Sequence, residues 1–239
     1  MSRRKLKQEI LNILGREDLL QVRRSLASFS AKEVVNPLFS ALCSPNEIVK
    51  WHAVTAFGWV VPNIANEDFE SARVIMRRFL WSLNDESGGI GWGAPEAMAE
   101  IMVQDERLAD EYLHMLISYT RDDGPELFQD GNFLELPMLQ RGLLWGIGNL
   151  CFARKERMQH FCIGKDLQAY LASPDGPVRG LALWALAALE ESFGGKEASG
   201  LLKDTAEVSI YWQGQFLSHT VGELAKRYLQ DLEDESKVL

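Results

Sequence analysis

The sequence predicts an all-α fold: a right-handed α-solenoid of about five helix pairs behind an N-terminal capping pair. Three observations lead there. Apolar residues recur at helical period along most of the chain, and no segment carries a convincing sheet pattern. Four segments also align with one another without internal gaps. They are VKWHAVTAFGWV (Val49–Val60), IGWGAPEAMAEI (Ile90–Ile101), LQRGLLWGIGNL (Leu139–Leu150) and VRGLALWALAAL (Val178–Leu189). Their starts lie 41, 49 and 39 residues apart, a spacing that suits a helix pair with loop insertions. The expected layout is a single repeat domain, with capping helices over residues 1–29, repeats over 30–232 and an acidic tail over 233–239.

In chain order, Leu6, Ile10, Leu11, Ile13 and Leu14 mark a first amphipathic helix that Gly15 ends. A short second helix carries Leu19, Leu20, Val22 and Leu26. Arg3, Arg4, Lys5, Lys7, Arg16, Arg23 and Arg24 make this end basic, which reads as a solvated face. Ser30–Glu33 (SAKE) has the form of a capping box, and its helix runs to about Cys43 with a bend at Pro37. Ser44-Pro45-Asn46-Glu47 is a turn, and the helix from Ile48 is expected to stop at Val61, before Pro62.

Asn66 is expected to cap a helix over Glu67–Ser82, and Gly93-Ala94-Pro95 to open the next, since proline is tolerated in a first turn. Glu106–Tyr119 is helical, and Arg121–Pro137 is a long polar loop, a length usually tied to function. Further helices are expected over Met138–Cys151, Arg154–Phe161, Asp166–Leu171, Val178–Phe193, Glu197–Ala206 and Thr220–Leu232. The apolar stretch VSIYWQGQFL (Val208–Leu217) stays unassigned.

The repeat columns make physical sense. Positions one, five, eight, nine and twelve are apolar or small in all four copies and fall on one helical face. Position ten is Gly58, Ala99, Gly148 or Ala187, which leaves room for a close neighbour. Positions three, seven and eleven lie roughly opposite the core. They are Trp51, Thr55 and Trp59; Trp92, Glu96 and Glu100; Arg141, Trp145 and Asn149; and Gly180, Trp184 and Ala188. Five of the seven tryptophans sit on this stripe, where core burial alone does not require them. Either they pack under the loops and between repeats, or they line a binding surface.

With Ser173-Pro174 matching Ser44-Pro45, and Val178-Arg179 matching Val49-Lys50, the chain resembles the HEAT repeat family, including its phycobilin-lyase-type variant. Leu171–Leu189 is nearly a standard repeat, and Pro37 stands where such repeats kink their first helix; the copies at Ile90 and Leu139 depart by their long loops. NDESGGIGWGAPEAM also looks like a string of uncharacterised bacterial HEAT-like proteins, which adds no activity. The second helix of each pair lines the concave side of such stacks. The resemblance therefore implies a groove lined by Trp51, Trp59, Trp92, Glu96, Glu100, Arg141, Trp145, Asn149 and Trp184, flanked by loop residues Asp85 and Glu86.

Composition narrows the function classes. A net charge of -9 sets the overall field against nucleic acid and anionic lipid, because duplex binding neutralises phosphates with Lys and Arg. Cys43, Cys151 and Cys162 form no C-x-x-C pair, which suits a reducing compartment, and no apolar run is long enough to span a bilayer. A cytoplasmic location is the expectation.

Glu96 and Glu100, at i and i+4, share a helix face without His or Cys at ligand spacing, so no metal and no cofactor is expected. Ser87–Gly91 lacks the Gly-Lys-Ser/Thr of a P-loop and the strand that precedes a dinucleotide fingerprint. His52, His114, His160 and His219 are scattered, and no nucleophile elbow is present. No catalytic residue stands out.

The expectation is a non-enzymatic module holding a protein or peptide with a basic segment. Two alternatives rest on the resemblance. In a HEAT-like DNA alkylbase glycosylase, Trp92, Glu96, Arg141 and Trp145 would imitate the cleft's tryptophans and carboxylate. A tetrapyrrole- or bilin-handling role would follow from the repeat type alone.

Overall fold

The computed structural model describes residues 2–84, 91–122 and 132–236, with side chains as far as residue 232. Asp85, Glu86 and Ile90 lie outside the described residues. The chain divides into two compact units, Met1–Leu113 and His114–Leu239.

Unit 1 opens with helices α1 (Arg3–Leu14) and α2 (Leu19–Leu26). Next come α3 (Ala31–Leu42), α4 (Glu47–Glu67), α5 (Phe69–Leu83) and α6 (Ala94–Gln104), followed by α7 (Glu106–Ser118), which runs across the boundary. α3 packs on α4, α5 on α6, and the repeat helices α4 and α6 pack on each other. Their facing columns are Val49, Ala53, Ala56, Phe57 and Val60 on α4, and Ala94, Ala97, Met98 and Ile101 on α6, all buried. Phe39, Phe57 and Phe79 join α3, α4 and α5 in a ring cluster with centroids 4.5–5.0 Å apart, Phe57 meeting the other two edge-on.

Two boundaries and one cap differ from expectation. α4 does not stop at Pro62 but continues to Glu67. A proline inside a helix costs about 3 kcal/mol, and here Val61, Ile64 and Ala65 bury on either side of it, which offsets that cost. Asn66 therefore lies within α4, where its Oδ1 accepts from Arg107, and Asp68 caps α5 instead. At α3 the expected capping box is absent: Ser30 occupies the N-cap position, but its hydroxyl makes no cap hydrogen bond.

Unit 2 contains α8 (Pro137–Ala153), α9 (Lys155–His160), α10 (Gly164–Ala169), a single 3-10 turn at Tyr170–Ala172, α11 (Gly176–Leu189) and α12 (Gly195–Gly200). The short α12 replaces the longer helix expected over Glu197–Ala206. α8 and α11 carry the remaining repeat copies and pack on each other, with every core column from Leu139 to Leu150 and from Val178 to Leu189 buried.

The stretch left unassigned in sequence is an antiparallel hairpin, β1 (Glu207–Trp212) and β2 (Gln215–Thr220), so the otherwise helical chain has one sheet element among its described residues. Its two-residue turn, Gln213-Gly214, has positive φ at both positions, the conformation that suits the strands' twist. α13 (Val221–Ser236) follows and packs on α11. Thr220 and Glu223 form a reciprocal capping box at its start, with N–H to side-chain oxygen distances of 2.8 and 3.2 Å.

The match between Ser44-Pro45-Asn46 and Ser173-Pro174-Asp175 is geometric as well. In both copies the serine hydroxyl accepts from the third residue's N–H at 3.2 Å. That third residue then caps the helix, with Asn46 accepting from Val49 and Asp175 from Val178. The same three residues thus stop one helix and start the next at equivalent places in each unit.

Candidate functional site

The stripe is treated unit by unit. On α4, Trp51, Thr55 and Trp59 remain partly exposed. The Lys50 ammonium sits 5.4 Å from the Trp51 ring, and Arg23 of α2 lies 5.2 Å from that of Trp59. In the turn before α6, Trp92 is 40% exposed; on α6 itself Glu100 is partly exposed, whereas Glu96 is only 3% exposed. Glu96 accepts from Lys50 at 3.1 Å, the partner such a buried charge requires.

Gly58, at position ten, explains how Glu100 is accommodated. A Cβ there would lie 2.7 Å from Glu100 Cγ and 3.1 Å from its carbonyl oxygen, so the missing side chain is what lets the two repeat helices meet. In unit 1 the stripe is therefore a partly exposed face of three tryptophans and a carboxylate around a half-buried Lys50–Glu96 pair.

In unit 2 the corresponding face is covered. Trp145 is 5% exposed, and its indole N–H donates to the Tyr211 carbonyl of β1 at 2.7 Å. Gly180 meets Val208 of the same strand; any Cβ on that glycine would overlap it. Trp184 packs against Phe152 and Trp212, with centroids 5.2 and 5.7 Å away, and its ring also fills the space above Gly148. Asn149 and Ala188 are buried. Arg141 is exposed and makes a two-pronged ion pair with Asp175, which holds that carboxyl below its usual range; burial and the Val178 amide act on it more weakly. The hairpin thus covers Trp145 and packs on Trp184.

Sequence reasoning missed two features. One is Trp81 on α5, 84% exposed and off the stripe. The other is a cavity of about 370 Å³ in unit 2, bounded by residues 133–140, α10, the 3-10 turn and Ser173-Pro174. The length of the 121–137 loop was the available signal for the second.

Among the described residues, no group of three or more His, Cys, Asp or Glu is placed to hold a metal ion, and no helix is long and apolar enough to cross a membrane. His52 is buried, with Nδ1–H donating to the Leu14 carbonyl at 2.8 Å, and burial holds its pKa below the ordinary value. Cys151 is buried, which pushes its thiol well up, while Cys43 and Cys162 are exposed free thiols.

No family model matches the chain, and no curated protein matches it. Solved structures do. Two engineered proteins of the Northeast Structural Genomics Consortium each give a TM-score of 0.52. The first is 15% identical, with 98% of this chain and 98% of that one covered; the second is 13% identical, with 96% and 98% covered. A designed armadillo repeat protein is 17% identical over 95% of this chain and 99% of its own, with a TM-score of 0.45. At such identities the two stronger likenesses speak for fold alone. Together with the repeated, stacked helix pairs, they identify a helical repeat protein with an α-solenoid fold.

Proposed function

We propose that this protein is a non-catalytic, HEAT-type binding module that holds a protein or peptide partner on the stripe of unit 1. One observation carries the reading. The core columns of α4 and α6 are buried, yet Trp51, Thr55 and Trp59 on α4, Glu100 on α6 and Trp92 in the turn before α6 stay accessible. Leaving three tryptophans in contact with water forgoes burial energy, and such aromatic anchors are what interfaces use.

The partner segment is basic. A basic segment is the electrostatic complement of a chain whose net charge is -9.

The test is affinity capture from the source cell extract with wild type and with Trp51→Ala, Trp92→Ala, Glu100→Gln and Trp81→Ala. A partner retained by wild type and by Trp81→Ala, and weakened roughly tenfold or more by Trp92→Ala, is the expected outcome. Binding that ignores all three stripe substitutions would overturn the reading.

A further inference from the structure

We propose that the cavity of unit 2 is a binding site for an N–H-bearing organic cation, a primary ammonium or a guanidinium group. This site stands apart from the stripe of unit 1 and does not depend on it. Its volume of about 370 Å³ lies within the range of small-ligand pockets.

The chemistry follows from where the protons of the lining groups go. Gln140 is 9% exposed, and its Nε2 donates to the Leu134 carbonyl at 2.8 Å. A carbonyl can only accept, so this bond fixes the amide's orientation and leaves Oε1 with no protein partner. Tyr170 donates its hydroxyl proton to the Thr120 carbonyl at 3.0 Å, and Thr120 donates its own to the Ile117 carbonyl at 2.7 Å. Both residues line the cavity, and with their protons engaged their buried hydroxyl oxygens can only accept there. Glu135 adds a carboxylate, which only accepts when ionised.

No Lys, Arg or His stands among the described lining residues. Arg121, the nearest cation in sequence, donates to Asp166 at 3.0 Å and is not part of the lining. The field at Tyr170 is negative as well: burial pushes its hydroxyl pKa up, and the charges of Asp166 and Asp122 push it further. A half-buried wall of acceptors and negative charge, with the Phe133 and Tyr170 rings stacked 6.4 Å apart, is matched by a ligand that supplies several N–H donors and a positive charge.

Such a group could belong to a free small amine or to a lysine or arginine side chain of a polypeptide. Calorimetric titration of the full chain with agmatine, spermidine and end-capped Arg and Lys tripeptides separates the two sources. Tetramethylammonium, equal in charge but without N–H, serves as competitor. We expect saturable binding of at least one N–H cation and no competition by tetramethylammonium.

Glu135→Gln, at an exposed position, and Gln140→Met should each weaken that binding, by roughly tenfold for the buried acceptor. Circular dichroism spectra matching wild type would exclude misfolding as the cause. Agmatine or spermidine binding points to a free amine, and binding of the peptides alone to a partner's side chain. The proposal is overturned if none of the four probes binds saturably, if tetramethylammonium competes, or if Glu135→Gln alters nothing.

Discussion

Gly148 and Gly200 are both helical glycines, and their surroundings give substitution opposite signs. A Cβ on Gly148 would overlap the Trp184 ring, while nothing lies within 4 Å of one on Gly200. Gly148→Ala should therefore destabilise by about 1–3 kcal/mol despite the helix propensity of alanine. Gly200→Ala should stabilise by about 0.4–1 kcal/mol. Urea denaturation of the two variants beside wild type measures both, and equal signs would contradict the close approach at position ten. That closeness was legible in sequence, because small residues recur there in every copy. Its purpose was less so: at Gly58 and Gly148 the space is taken by Glu100 and Trp184, side chains of the neighbouring copy.

Among elements, the repeat helices were the most legible, because four copies of one pattern reinforce each other where a single helix could not. Their ends were less so. A proline stops a helix only when nothing compensates for the missing N–H, and around Pro62 the burial of Val61, Ile64 and Ala65 does so. Caps show the same limit. Ser30-x-x-Glu33 and Thr220-x-x-Glu223 spell the same motif, yet only the second closes both hydrogen bonds. Thr220→Ala should thus cost about 1 kcal/mol, and Ser30→Ala only a few tenths. Thermal melts of both variants test this, and equal losses would count against it. The hairpin went unread because Gln-Gly is a weaker turn signal than Asn-Gly, and because Tyr211 buries on the opposite face to Val208 and Ile210, which spoils simple alternation.

For the molecule as a whole, proton linkage sets a pH window. His52 is held neutral by burial, so its folded pKa lies below the ordinary 6.5, and His219 shifts the same way. Between the two values the unfolded chain binds more protons than the folded one. Stability is then full above pH 6.5 and falls as the pH drops below it. Asp105, Asp175 and Asp204 are also lowered, but from 3.8, and so act at lower pH; Glu191, raised by burial, acts in the opposite sense. We expect the melting temperature of wild type to decline from pH 6.5 towards about pH 5 and that of His52→Gln to decline less. Parallel profiles would remove His52 from the account. At this scale the fold class could be read from the chain, but the exposure of the candidate surface could not. The element that covers Trp145 begins at Glu207, and no local pattern links the two.

The bond from Trp145 to Tyr211 has a consequence for how unit 2 comes apart. Stacked repeats touch only their neighbours, so such arrays can fray one repeat at a time from an end. Here a hairpin near the end of the chain is fastened to α8 as well as to the adjacent α11, tying residues 66 positions apart. Peeling away the hairpin must expose the Trp145 indole and strand a carbonyl at the same moment. The hairpin thereby acts as a latch that converts sequential fraying into concerted unfolding. It also makes the closing of that latch a late event in folding, because the long loop must form before the contact repays it.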